Sequence, residues 1–203
     1  MKKILISLIL LIPFAINAQN AQSEIIAKIN ATVSKISTMK CDFVQTKHLK
    51  MLNNKMTSNG VMLYKQSDKL RWEYKSPYSY TFVLNGSKVY LTKGDRKDVI
   101  DIKQNKIFKE IAQIMMNSVT GRCLTDTGVF NVQIKETSTH WIATLYPQKK
   151  TMKQMFTKII INFKKQNALI NSVEMHEKNG DFTIIELQNV ELNKSINDNA
   201  FVN

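Results

Sequence analysis

Leu70-Arg71-Trp72-Glu73-Tyr74-Lys75 decides the fold. Apolar Leu70, Trp72 and Tyr74 alternate with charged Arg71, Glu73 and Lys75. A period of two makes this a strand with one face on apolar material and the other in water. Pro77 interrupts it, extended character resumes over 78–84, and Asn85-Gly86 is a two-residue hairpin signal. Strands over 88–92 and 97–102 follow, separated by a Gly94-Asp95 turn. Upstream, Met39, Cys41 and Phe43 alternate with Lys40, Asp42 and Val44, and this strand runs towards Lys50. Asn53 and Asn54 turn the chain into a strand over 56–65, and Ser67-Asp68 turns it again.

Two segments have helical period. Ile25, Ile29, Val33 and Ile36 predict a first helix over 23–36, with Ser23 as N-cap. Over 105–116, Ile107, Phe108, Ile111, Ile114 and Met115 form one apolar face opposite Lys106, Lys109, Glu110 and Gln113. A short helical turn over 119–124 is a weaker signal. Strands then return at Phe130 to Ile134 and Trp141 to Leu145, and a lysine-rich connection leads to a strand over 158–163. Asn179-Gly180 closes a last hairpin between 169–177 and 182–187. Ten or eleven strands joined by short turns make an antiparallel sheet. A sheet that long must curl, split or close. The expected fold is therefore mainly β with α: an unclosed, strongly curved antiparallel barrel capped by two or three helices.

Lys2 and Lys3 precede an apolar run from Ile4 to Ile16, and Ala18 offers a small residue for cleavage, the layout of a secretory leader. The run is shorter than the roughly 20 residues that a bilayer requires. Residues 1–18 are read as a signal peptide and 19–203 as one exported domain, a length that suits a single core. The chain carries 29 Lys+Arg against 16 Asp+Glu, a formal charge of +13. Export argues against nucleic acid as the partner of that charge and leaves anionic membrane, acidic proteins or plain solubility. Nearly all of it is lysine, which suits a solvated face better than bidentate phosphate clamps.

The sequence calls for no catalysis, metal or cofactor. It contains no G-x-S-x-G, H-E-x-x-H, glycine-rich phosphate loop or Cys-x-x-Cys. His48, His140 and His176 are scattered over strands and strand ends, and a structural role is expected of each. Cys41 and Cys123 would sit in an oxidising compartment, and the sequence leaves both the bridged and the free state open.

Phe43-x-Gln45, Gly60-x-Met62-x-Tyr64-Lys65, Leu70-Arg71-Trp72-Glu73-Tyr74-x-x-Pro77 and Phe82-Val83-Leu84-Asn85-Gly86-x-x-x-Tyr90 together resemble the periplasmic lipoprotein carrier family, LolA. Looser agreement continues through Leu145-x-Pro147 and Ile159-Ile160-Ile161-Asn162-Phe163. The resemblance implies an unclosed barrel of about eleven strands with helices as a lid. It also implies a monomeric carrier that takes lipoproteins from an inner-membrane lipoprotein-releasing ABC transporter, hides their acyl chains, and hands them to an outer-membrane acceptor or to the outer membrane itself. By position, Leu70 and Trp72 would face the acyl-chain cavity, with Phe43, Met62, Tyr74, Phe82 and Leu84 completing it. Ile107, Phe108, Ile111, Ile114 and Met115 would belong to the lid.

One departure stands out. Many relatives carry an Arg-Pro pair after the lysine equivalent to Lys65, its arginine implicated in lid closure, whereas this chain has Gln66-Ser67. The alternative reading is a lipid- or lipoprotein-binding envelope sensor with no transport role. No lipobox cysteine lies near the expected cleavage point, which argues against a lipid-anchored acceptor.

Overall fold

Alternating side chains and short turns leave each strand one way to pair, antiparallel with its neighbour in sequence. The computed structural model describes residues 13–66, 68–104, 116–117, 122–126 and 128–202. Its strands are β1 (Thr38–Leu49), β2 (Asn54–Lys65), β3 (Lys69–Ser76), β4 (Tyr80–Asn85), β5 (Lys88–Lys93) and β6 (Arg96–Asp101). They continue with β7 (Phe130–Glu136), β8 (His140–Pro147), β9 (Phe156–Lys164), β10 (Ile170–Glu177) and β11 (Phe182–Leu192). All eleven form one sheet in the order β6-β5-β4-β3-β2-β1-β11-β10-β9-β8-β7. Among the described strands, the one pairing between elements far apart in sequence is β1 with β11, where the last strand returns beside the first.

Flat, such a sheet would be about 48 Å wide, ten spacings of about 4.8 Å. Yet Val89 on β5 and Phe130 on β7, near opposite edges, belong to a single hydrophobic cluster. An open twisted sheet of eleven strands curls on its apolar face, and β6 and β7 do not pair, so it is unclosed.

Helix α1 (Pro13–Val33) places Ile25, Ile29 and Val33 in that core, joined by Ile36 just beyond its end. The helix begins earlier than the Ser23 cap implies. Ser23 lies inside it, because the residues before it continue the helical backbone. The Gln22 side chain donates to Val132 O at 3.1 Å and accepts from Ile134 N–H at 3.1 Å. Its amide thus pairs with the open backbone of β7 as a neighbouring strand would, which caps an otherwise free edge.

The lysine-rich connection before β9 is helical over α2 (Lys150–Met155). Met152, 2% exposed, anchors it to the core, while the charged side chains around it hide that anchor in the sequence pattern. Of the expected turn over 119–124, a 3-10 helix covers Arg122–Leu124, with Cys123 and Leu124 buried. The remainder of that turn and residues 105–115 of the helix expected over 105–116 lie outside the described residues, while Met116 is helical as expected. Strand β11 continues five residues past the expected Leu187, to Leu192.

The chain after β11 folds onto the outer face of the sheet. Phe201 is fully buried in a 3-10 helix (Asp198–Phe201) that contacts β3 and β4. Arg71 Nη1 donates to Ala200 O and Asn85 Nδ2 to Phe201 O. The Lys65 and Lys69 ammonium groups hold Asp198 at 2.8 and 3.0 Å. This explains why Val83, on the face opposite Leu84, is also fully buried.

Candidate functional site

The inner face of the sheet is a ladder of cross-strand neighbours. Cys41, Met62, Trp72, Phe82 and Leu91 stand side by side across β1 to β5. Met39, Tyr64, Leu70, Leu84, Val89 and Ile100 form the next rung, reaching β6. A third rung runs Phe43, Gly60, Tyr74, Tyr80. The residues singled out in the sequence as cavity-lining, Phe43, Met62, Leu70, Trp72, Tyr74, Phe82 and Leu84, therefore share one face and one neighbourhood. All are buried except Tyr74, which is half-buried. The Phe43 ring centroid lies 4.5 Å from that of Trp72, and the Phe43 and Tyr74 rings meet edge-on at 5.2 Å. Tyr74 Oη donates to Gln45 Oε1 at 2.9 Å, and burial pushes its phenol pKa up.

The other half of the face is aliphatic. One row crosses β11 to β7 as Ile185, Val173, Ile161, Ala143 and Ile134. A second runs beside it as Thr183, Met175, Ile159, Leu145 and Val132. Each covers four strand spacings, about 19 Å. Ile185, Val173, Met175, Ile134 and Val132 are only half-buried. Sequence reading caught the alternation in these strands but not these rows, since neighbours across strands are set by register.

Burial is graded along the strands. On β1 it falls from Met39, Cys41 and Phe43 to half-buried Gln45 and Lys47. On β3 it falls from Leu70 and Trp72 to half-buried Tyr74 and exposed Ser76. On β2 it falls from Tyr64 and Met62 to exposed Met56. The interior is thus packed at the end where β2 turns into β3, and looser at the end where β1 turns into β2. A packed floor with looser apolar walls can take up flexible hydrocarbon, because it offers burial without demanding one shape.

The lid residues Ile107, Phe108, Ile111, Ile114 and Met115 lie outside the described residues. Gln66 is exposed at the β2–β3 turn, where its backbone N–H donates to Ser37 O at 2.8 Å. Cys41 and Cys123 are both buried and both free, so of the two states the sequence left open the structure holds the unbridged one. Burial pushes each thiol up to about 12, with the Asp42 carboxylate adding to the shift at Cys41. His48 and His176 both stack on Phe182 on the outer face, with centroids at 4.2 and 5.4 Å, and Glu174 holds His176 Nε2. His140 pairs with the hydroxyl of Thr139. Among the described residues, no three His, Cys, Asp or Glu side chains converge on a metal-sized site.

The family model described as outer membrane lipoprotein carrier protein LolA matches residues 34–203, from the end of α1 through all eleven strands. A Francisella tularensis protein named outer-membrane lipoprotein carrier protein is 29% identical over 205 residues, spanning 99% of this chain and 92% of that protein. Among solved structures, an uncharacterized conserved protein from Thermus thermophilus superposes with a TM-score of 0.56 at 7% identity, covering 89% of this chain and 92% of that one. The Mycobacterium tuberculosis lipoprotein LppX does so with a TM-score of 0.51 at 10% identity, covering 88% and 98%. These two likenesses speak for the fold alone. The match over the whole sheet identifies the family: this chain belongs to the LolA family of outer membrane lipoprotein carrier proteins.

Proposed function

We propose that the protein is an exported, monomeric carrier. It shields the acyl chains of lipoproteins and moves them through the periplasm from an inner-membrane releasing transporter to the outer membrane or an acceptor there. The observation that carries this reading is the set of half-buried apolar side chains in the two rows, Ile185, Val173, Met175, Ile134 and Val132, adjoining a packed aromatic floor. Each methylene removed from water contributes about 0.8 kcal/mol, so lipoprotein chains need cover to cross an aqueous compartment. Moderate burial by half-covered walls suits a protein that must also release its cargo. Family membership and the relatives' names support the same role.

Export through the leader 1–18 is compatible with the architecture. Gln22, Ile25, Ile29 and Val33, which tie α1 to the sheet, all lie beyond Ala18, so cleavage there leaves these contacts in place. The deciding experiment mixes the protein with inner-membrane vesicles containing the transporter, a lipoprotein and ATP. A soluble complex of protein and lipoprotein is expected in the supernatant. Lipoprotein that stays with the vesicles at every carrier concentration would overturn the reading.

A further inference from the structure

The turn joining β1 to β2 has an unusual apex. Turns favour Gly, Pro, Asn, Asp and Ser, each for a backbone reason. Here the central residues are Met51 and Leu52, 92% and 69% exposed, and Met56 nearby is 53% exposed. The apex is held in place. Asn53 N–H donates to Lys50 O at 3.3 Å, and Asn53 adopts φ 43°, which asparagine tolerates. Lys55 N–H donates to Asn54 Oδ1 at 2.7 Å, and Lys50 N–H to Asp181 Oδ1 at 3.0 Å. A bonded scaffold thus projects two large apolar side chains into water.

Charge surrounds them. Lys50 and Lys55 flank the apex. Asp181 belongs to the β10–β11 turn, which carries Lys178, and Lys178 N–H donates to Met155 O at the end of α2. Lys150 and Lys153 on α2 extend the basic surface. These five lysines are exposed, and none pairs with a carboxylate among the described residues. Strand direction sets all three elements on one rim, the rim towards which the inner face loses its burial.

We propose that this rim is a membrane-docking surface that seats on an anionic lipid bilayer. Met51 and Leu52 enter the boundary between headgroups and acyl chains, while the lysines face lipid phosphates. Apolar side chains ringed by basic residues are the composition of interfacial membrane contacts. A bilayer fits better than an acidic protein for two reasons. The apolar pair caps a protruding hairpin, which a fluid surface accepts without a matching pocket. The charges are dispersed lysines, point charges that suit mobile phosphates more than fixed carboxylates. Docking there would set the loose end of the inner face against the membrane. The inference needs no cargo, so it stands or falls separately from the carrier reading.

The test is sedimentation of the cargo-free protein with vesicles of phosphatidylcholine, with and without phosphatidylglycerol. Binding to the anionic vesicles alone is expected. Met51→Asp with Leu52→Asp should abolish it without changing the circular dichroism spectrum, since both side chains are exposed. Lys50→Gln and Lys55→Gln should each weaken it by about fivefold. Trp72 and Trp141 are buried, so Leu52→Trp adds a water-facing indole whose emission should shift to the blue when anionic vesicles are added. Failure of the wild-type protein to bind anionic vesicles, equal binding to neutral ones, or full binding by the double Asp variant overturns the proposal. Binding only to native membranes, and not to vesicles of pure lipid, also overturns it, in favour of a protein partner.

Discussion

Phe43 and Gly60 face each other across β1 and β2, and the Phe43 ring fills the space where a side chain at residue 60 would start. A Cβ on Gly60 would lie 2.7 Å from Phe43 Cζ and 1.9 Å from the carbonyl oxygen of Glu73 on β3. The register of β2 with β3 shifts at this point, between Asn59 and Gly60. Glycine is therefore a requirement of close backbone approach, and it lets Phe43 lie against Trp72.

Gly60→Ala should consequently destabilise the protein by about 3 kcal/mol, since the nearer obstacle is backbone and cannot rotate away. Urea unfolding measures this as a lower midpoint at unchanged slope. An unchanged midpoint would mean that the β2–β3 register differs from the one described.

The inner face separates two kinds of position. Leu70 is fully buried, so Leu70→Glu strands a charge in the core and should prevent stable folding. Val173 and Ile185 are half-buried, and a carboxylate there can reach water. Val173→Glu and Ile185→Glu should fold normally yet fail to form the soluble lipoprotein complex. Wild-type uptake by both would remove the aliphatic rows from the binding surface.

Cys41 and Cys123 should ignore a thiol reagent in the native protein at neutral pH and both react once it is unfolded. Finding no free thiol in the unfolded, unreduced protein would show that a bridge forms. The same burial predicts alkaline sensitivity. Both thiols are raised from 9.0 to about 12 in the folded state. An acid whose folded pKa is raised stabilises fully below its unfolded pKa, so this contribution is present below about 9 and is lost as pH climbs towards 12. The half-buried phenol of Tyr74, raised from 10.0, acts with the same sign. Thermal unfolding across that range should show the decline, and Cys123→Ala should make it shallower.

Phe201→Ala should cost about 3 kcal/mol, because the ring is fully buried between the chain end and the outer face of β3 and β4. Chemical denaturation tests this directly. Asp198, held by Lys65 and Lys69, has its carboxyl pKa lowered below the ordinary 3.8. The attachment is therefore strongest above that value and weakens as pH falls through it. Asp198→Asn should speed amide hydrogen exchange in the segment after β11 at neutral pH and leave the rest of the sheet unaffected.

The strands were legible because Leu70-Arg71-Trp72-Glu73-Tyr74 and its counterparts alternate, and because Asn85-Gly86 and Asn179-Gly180 mark their turns. Helix α2 was not, since only Met152 is buried and lysines surround it. Nor was the role of Gln22, whose partners on β7 lie 110 and 112 residues away. The site was half legible. Phe43 and Trp72 read as part of an apolar face from alternation, and Met62 and Phe82 joined them through the family resemblance, but residues of a solid core read the same way. Which positions stay half-covered follows from how the sheet curls.

Periodicity and turn residues by themselves determined that this chain makes a long antiparallel sheet with one apolar face, because both act between residues close in sequence. Tertiary structure alone decided that β11 pairs with β1, that two aliphatic rows line up across β11 to β7, and that Met51 and Leu52 share a rim with the lysines of α2. Those outcomes join segments far apart along the chain. They depend on register, curvature and burial, which no local pattern encodes.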